Sequence, residues 1–497
     1  MKTLKRYRIF FALICIILLL GPAIGSSKAG PAQQAETGFA AIDEYVTTQM
    51  NDLGIPGMAL GVVQDGQIVH LQGFGTADSS GRAVTPQTPF HIGSVTKSFT
   101  ALAVMQLAEE GKIDLDAAVQ EYLPWFELAD KEASAEITVR NLLNHSTGIS
   151  TRDGNRDFPS PQGLEEKVRG LRNLELTQPV GQVFQYSNIN YGIAGLIVEK
   201  VSQQSYADYV DQHIFQPLDM RHSFASEDSA LADGLTAGHL FMFGHAFEMD
   251  RPSPPAHLPS GWLIASVEDL STYAIAHLNE GRFGAGRILS PEGIAELHAP
   301  SIPVNVDDIH YGMGWVVGSW DGIPKVSRHS GSDGRYHSVV VLMPDRGSGF
   351  VLLANATGFV EGWQVDEIAK GVFRLLNGKL AEPVTLPLGP RFIYWAVLLT
   401  PFLMILGIVY SWRHWLNKGS GHILLVVLLY SGVALLWLLL LPRLIEAPIW
   451  SGIQVNISQP ELAGSLLASA ILGFGWSVIY PVMNLRARRS KQDPATA

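Results

Sequence analysis

F-H-I-G-S-V-T-K-S-F-T-A-L-A-V-M-Q-L-A-E-E-G-K-I, residues 90–113, decides how the rest of the chain is read. Ser94 follows Gly93 and opens an Ala-rich apolar run with helical periodicity, predicting a helix that begins at the serine. Lys97 stands three residues on, so hydroxyl and amine share one helical face. One reading makes Ser94 a helix N-cap and Lys97 a solvated first-turn residue. Two features favour another. A cation in the first turn opposes the helix dipole. The flanking Phe90, Ile92, Val95, Phe99 and Leu102 are apolar, which predicts a desolvated amine. Desolvation lowers an amine's pKa, and a neutral lysine can take the proton of a neighbouring serine. Ser94 is therefore a candidate activated nucleophile in need of partners.

At 497 residues the chain is long enough for one large domain and more. Its hydrophobic fraction, 47%, is high for a soluble enzyme, and the excess is localised. M-K-T-L-K-R-Y-R followed by Ile9–Leu20 reads as the basic and apolar parts of a secretory signal within 1–30, cleaved or kept as a signal-anchor. The single cysteine, Cys15, lies inside that run, so the body has no disulfide and no thiol nucleophile, in keeping with export from a bacterial cell. Net charge is −11 and many basic residues sit at the chain ends, which argues against nucleic acid as a partner.

In chain order, Phe39–Leu53 reads as an amphipathic helix stopped by Gly54. Met58–Val63 and Ile68–Phe74 read as a hairpin around Asp65-Gly66. Residues 150–162 are a polar loop, whose Asp153, Asn155 and Asp157 mimic the start of a calcium loop but lack its later Gly and Glu. About 164–299 is mainly helical, including Tyr191–Gln203, Tyr206–Phe215 and Val267–Leu278. Met313–Ser319, His337–Met343 and Gly349–Asn355 are strands, and Val365–Leu376 is a closing helix. Strands thus open and close the body around a helical insert, predicting one α+β domain over 36–379 with an antiparallel sheet.

A linker with three prolines follows at 380–390. Within 391–485, Phe392–Trp412, Ile423–Pro442 and Leu462–Leu485 are expected to be three transmembrane helices. Arg486, Arg488, Arg489 and Lys491 in the tail 486–497 place that tail in the cytoplasm and the domain outside, by the positive-inside bias. Charge-free spans suit an anchor rather than an ion path.

Partners for Ser94 lie in two later motifs. Tyr186-Ser187-Asn188 sits before a helix. A tyrosine with lowered pKa near Lys97 can act as base and then acid, and Asn188 can donate to a substrate carbonyl. A buried aromatic filling the core is the plainer reading of Tyr186 alone. His329-Ser330-Gly331 precedes the strand at 337. Gly331 permits close approach to the strand edge, and the Ser332 N–H can face an oxyanion. Alone, H-x-G is a turn before a strand.

Together S-V-T-K, Y-S-N and H-S-G, in this order, resemble the serine β-lactamase and penicillin-binding superfamily, in particular class C β-lactamases and their D-alanyl-D-alanine carboxypeptidase, D-aminopeptidase and esterase relatives. L-L-N-H-S-T-G-I at Leu142–Ile149 and the segment Gly111–Pro124 are similar to further stretches of the family, and the likeness covers about Glu36 to Leu376. The resemblance implies a class C β-lactamase-like fold with Ser94 acylated, Lys97 beside it and Tyr186 as general base and acid. Asn188, His329 and Gly331 would bind substrate, and the N–H groups of Ser94 and Ser332 would form the oxyanion hole. His329 stands where efficient β-lactamases carry Lys, as in K-T-G, which tilts the expectation to peptidases. His145, outside the family's catalytic set, is expected to be structural.

The remaining histidines lack metal-ligand spacing, so neither metal nor cofactor is implied. The resulting expectation is a membrane-anchored, extracytoplasmic serine hydrolase of the bacterial cytoplasmic membrane, acting on D-amino-acid peptides or β-lactam-like molecules. Its oligomeric state stays open. Alternatives are a prodrug-activating D-aminoacyl peptidase of the colibactin-maturation type, suggested by the C-terminal spans, then a β-lactamase or an esterase. A non-enzyme alternative is an acylated penicillin sensor.

Overall fold

Ile42, Val46 and Met50 recur at helical spacing, and they form the buried stripe of Phe39–Leu53. Gly54 ends that helix in the left-handed conformation at φ 70°, as its position past the last apolar turn predicts. These elements come from a computed structural model that describes residues 38–154, 163–250, 255–304, 308–358, 362–385, 388–415, 420–446 and 460–492. The segment read as a signal, 1–30, lies outside them, as do 155–162 of the expected loop. Thr151–Gly154 of that loop is a helical turn. The chain divides into two compact units, one running Glu36–Val384 and the other holding the C-terminal helices.

The first unit is built on an antiparallel sheet of eight strands. In chain order these are β1 Gly57–Gln64, β2 Gln67–Gly75, β3 Ile302–Pro303, β4 Ile309–Tyr311, β5 Val316–Trp320, β6 Ile323–Ser332, β7 His337–Met343 and β8 Ser348–Ala354. Their spatial order is β3-β4-β5-β6-β7-β8-β1-β2. The β1–β2 turn is the expected one, with Asp65 and Gly66 both at positive φ. β1 pairs with β8, Leu60 opposite Leu352, so the two ends of the unit close on one sheet.

β1, β7 and β8 are apolar almost without interruption because both faces are covered. Ala59, Val63, Val340, Leu342, Val351 and Leu353 point into the core shared with the helical insert. Their neighbours Met58, Leu60, Val62, Val339, Val341, Phe350 and Leu352 point into a second core, under Phe39–Leu53 and the closing helix Gly362–Leu376.

At the centre of the insert side runs the helix Thr96–Glu109, buried around nearly its whole circumference. Its small Ala101 and Ala103 admit close neighbours, and its polar groups find partners. Thr100 Oγ1 donates to the Pro259 carbonyl at 2.7 Å, and Tyr273 donates to Ser98 Oγ at 3.0 Å.

In the C-terminal unit three long helices occur, Leu388–Trp415, Ser420–Glu446 and Pro460–Gln492. Among the described residues only Arg391–His414 and Gly464–Ala487, 24 residues each, are long and apolar enough to cross a membrane. The expectation of three spans is corrected to two. In the middle helix the apolar stretch found among the described residues is the shorter His422–Leu436.

Candidate active site

Ser94 lies in a single 3₁₀ turn, Gly93–Val95, and the α-helix proper starts at Thr96. No side-chain cap bond is made at either start, so Ser94 is not an N-cap and its hydroxyl is left to other partners. The turn is aimed by a short three-stranded sheet, Phe90–His91 against Ile264–Ala265 against Ser223–Phe224. Ser338 Oγ donates to the Ile92 carbonyl at 2.6 Å and ties the turn to β7.

Lys97 is fully buried. Its Nζ lies 2.9 Å from Ser94 Oγ, 2.7 Å from Asn188 Oδ1 and 2.5 Å from the Ser260 carbonyl. Because a lysine only donates when charged, Asn188 must turn its oxygen inward, which directs its amide NH₂ away from the amine. Burial pushes the Lys97 amine well below its ordinary pKa, and the charge of Lys167 adds to this. Lys97 Nζ also sits 4.8 Å from the centre of the Tyr186 ring.

Tyr186 hydrogen-bonds Ser94, and that bond draws its pKa down, but burial outweighs it and the phenol is raised above its ordinary value. The expected lowered tyrosine is therefore corrected. In the resting site the amine, not the phenol, is the group that gives up its proton readily.

His329-Ser330-Gly331 is not a turn before a strand: it lies inside β6, paired with β7 on one side, while the pairing with β5 on the other side ends at Arg328. The His329 ring is buried, with Nδ1 2.7 Å from the Ser330 carbonyl and Nε2 3.0 Å from the Tyr311 hydroxyl. Burial first, then the Lys97 charge, pushes its pKa down to about 3, so it is neutral, donating from Nδ1 and accepting at Nε2. The resemblance implies that His329 fixes the substrate carboxylate or the Tyr; as a neutral ring it brings no charge to a carboxylate.

Gly93 and Gly331 let two backbones touch. A Cβ on Gly331 would stand 2.6 Å from the Ser94 nitrogen, and one on Gly93, at φ 50°, would stand 2.4 Å from the Ser332 nitrogen. The amides of Ser94 and Ser332 are thereby brought side by side at the nucleophile.

The fold thus gathers Ser94, Lys97, Tyr186, Asn188, His329, Gly331 and Ser332 from three separated segments. Sequence reasoning missed Tyr311, which bonds His329, and the Ser260 carbonyl, which holds Lys97. Neither belongs to a motif: a backbone carbonyl has no residue-type signature, and Tyr311 reads as one more strand aromatic. No group of three or more His, Cys, Asp or Glu side chains suited to a metal occurs among the described residues.

Comparison with known proteins follows the same outline. The Beta-lactamase family matches residues 42–372. Penicillin-binding protein 4 of Amycolatopsis lactamdurans is 30% identical over 348 residues, 66% of this chain and 86% of its own length. Protein flp of Staphylococcus aureus (strain MW2) is 26% identical over 388 residues, 77% of this chain and 76% of its own. Among solved structures, the octameric penicillin-binding protein homologue from Pyrococcus abyssi has a TM-score of 0.62 at 27% identity, over 73% of this chain and 81% of that one. With the family match spanning the sheet, the helical insert and every segment of the site, the chain belongs to the Beta-lactamase family, the serine hydrolase family of β-lactamases and penicillin-binding proteins.

Proposed function

We propose that the protein is a membrane-anchored, extracytoplasmic serine hydrolase that opens D-amino-acid peptide bonds through an acyl-enzyme on Ser94. The observation that carries this reading is the buried Lys97 amine, 2.9 Å from Ser94 Oγ and held from behind by Asn188 and the Ser260 carbonyl.

A neutral Lys97 keeps two N–H donors for Asn188 Oδ1 and the Ser260 carbonyl, and its lone pair faces Ser94. The Ser94 O–H proton passes to Nζ as Oγ bonds the substrate carbonyl carbon, and the oxyanion takes hydrogen bonds from the Ser94 and Ser332 amides. Collapse breaks the C–N bond, and the leaving nitrogen takes the Tyr186 phenolic proton, which the protonated Lys97 beside it then restores. Water, losing a proton to the same groups, releases the acid and Ser94. Asn188 offers its NH₂ to the substrate amide, and Gly331 leaves the β6 edge open to it.

Two C-terminal apolar helices and the signal-like start of the chain support an anchor in the bacterial cytoplasmic membrane with the catalytic unit on its outer face. Ester hydrolysis is the second reading. The neutral His329 favours it, since this ring offers no charge to a substrate's free carboxylate.

The test is intact-protein mass spectrometry after a fluorescent penicillin, on wild type and Ser94→Ala. A lasting adduct on wild type alone is the expected result and marks a slow-deacylating peptidase. Penicillin consumed without an adduct puts β-lactamase first. Equal labelling of Ser94→Ala sinks Ser94 as the nucleophile.

A further inference from the structure

His145 takes no part in the chemistry above, yet it occupies the middle of the site. It is fully buried, its ring 4.5 Å from that of Tyr186 and 4.9 Å from that of Tyr311. It belongs to the Leu142–Ile149 stretch, whose purpose neither the nucleophile nor the oxyanion hole explains.

Backbone hydrogen bonds show what that stretch holds. The carbonyls of Gly148, Ser146 and His145 accept, in turn, the N–H groups of Thr177 at 2.9 Å, Gly181 at 2.7 Å and Gln185 at 2.8 Å. The segment is a strap along the loop that ends in Tyr186. One bond past the tyrosine, the pattern changes from main chain to side chain: the Ser187 N–H donates to His145 Nδ1 at 3.2 Å. The amides on either side of Tyr186 therefore both end on one residue. Asn190 Nδ2, one turn into the next helix, stands 3.3 Å from the same ring nitrogen, and Asn190 Oδ1 accepts from Thr147.

A ring that accepts at Nδ1 is neutral with its proton on Nε2, and Nε2 is buried without a hydrogen-bond partner. Burial is the main cause that favours that neutral form. His145 also sits at φ 61°, the left-handed region, which turns its carbonyl and its ring toward the same loop. Both the carbonyl and the ring hydrogen bonds of His145 thus go to the segment that carries Tyr186.

We propose that His145 is a positioning residue for Tyr186: its carbonyl and Nδ1 clamp the amides flanking the tyrosine and so set the phenol against Ser94. The inference rests on the reading that Tyr186 takes part in acyl transfer from Ser94.

Two variants of the full chain in detergent separate the clamp from simple packing. His145→Asn keeps an acceptor near the Nδ1 position, and Asn tolerates positive φ. His145→Leu keeps bulk and loses the acceptor. The first readout is amide hydrogen exchange of the peptide spanning Gln185–Ser187, which needs no activity. Exchange at Ser187 is expected to quicken by about tenfold or more in His145→Leu and to stay near wild type in His145→Asn, as an opened local bond allows.

The second readout is turnover of a β-lactam chromophore, or of p-nitrophenyl acetate where the β-lactam is not turned over. His145→Leu is expected to lose roughly 10- to 100-fold in kcat with KM little changed, the mark of misaligned chemistry, and His145→Asn to recover most of it. Equal loss in both variants at equal Tm overturns the clamp, as does unchanged Ser187 exchange in His145→Leu. Should His145→Leu not fold, fast Ser187 exchange or lost kcat in a folded His145→Asn overturns it equally, and wild-type values in both support it. If neither substrate acylates wild-type Ser94 while Ser187 exchange responds as expected, the functional reading falls and the clamp stands.

Discussion

Lys97 and Tyr186 share one buried site, and burial moves their proton affinities in opposite directions. The amine goes down, because burial penalises its charged form, and the phenol goes up, because burial penalises its anion. The two ordinary values lie near 10, and they separate in the sense that the proposed mechanism needs, with the lysine as base and the tyrosine as acid. A pH profile follows with a definite sign. Acylation of Ser94 should rise with pH as Lys97 loses its proton, with the midpoint well below the ordinary 10.5 of lysine. It should hold to above pH 10, because Tyr186 keeps its proton there. Rates of β-lactam or ester acylation between pH 5 and 11 check this. A rising limb centred near 10.5 would show the amine to be solvated and the proton assignment wrong.

At the scale of the element, the turn that carries Ser94 follows a short sheet whose far strand, Ser223–Phe224, is held by one carboxyl group. Asp269, in the first turn of the helix Val267–Leu278, accepts the His222 N–H and the Ser223 hydroxyl, each at 2.7 Å, and its own N–H donates to the Ser266 cap. Burial raises its pKa to about 6. A carboxyl raised on folding favours the fold fully below its unfolded pKa near 3.8 and loses that advantage as pH rises through about 6. Keeping it ionised at pH 7 costs about 3 kcal/mol by the size of that shift. Wild-type Tm should therefore fall relative to Asp269→Asn between pH 4 and pH 7, as read by calorimetry at matched ionic strength. Parallel profiles for the two proteins would exclude the carboxyl as the cause.

β6 teaches a related lesson about elements. Ser327 to Ser332 is polar and glycine-containing, so its sequence suggests a turn, yet it is an interior strand. Pairing with β7 along its whole length, and with β5 as far as Arg328, supplies what propensity withholds, and the small polar residues leave room for the turn that carries Ser94 to lie against Gly331.

Over the whole molecule, the unit Glu36–Val384 carries both hydrophobic cores of the sheet within itself, while the C-terminal helices expose leucines and isoleucines, the feature on which the proposed anchor rests. A chain ending after Val384 and lacking 1–35 should be soluble without detergent and should label with fluorescent penicillin as the full chain does. The full chain should sediment with membranes and resist extraction by high salt. A full chain found in the soluble fraction would end the anchor proposal, and a truncated chain that aggregates would show that the cores are not self-sufficient.

The sequence by itself determined the hairpin at Asp65-Gly66, the helix stop at Gly54 and the closing of both ends of the first unit on one sheet, and its motifs supplied the seven candidate residues from Ser94 to Ser332 that the fold gathers. Such features are local, or carried by motifs whose spacing is itself the signal. What only tertiary structure decided are matters of distance between remote segments. These are the burial that drives Lys97 down and Tyr186 up, the pairing that makes a strand of 327–332, and the neutral state of His329 against Tyr311. The strap that leads from His145 to both sides of Tyr186 is another. None of these is written in a neighbouring residue, because solvation and hydrogen-bond partners are supplied by chain that lies up to 163 residues away, as the Ser260 carbonyl does for Lys97.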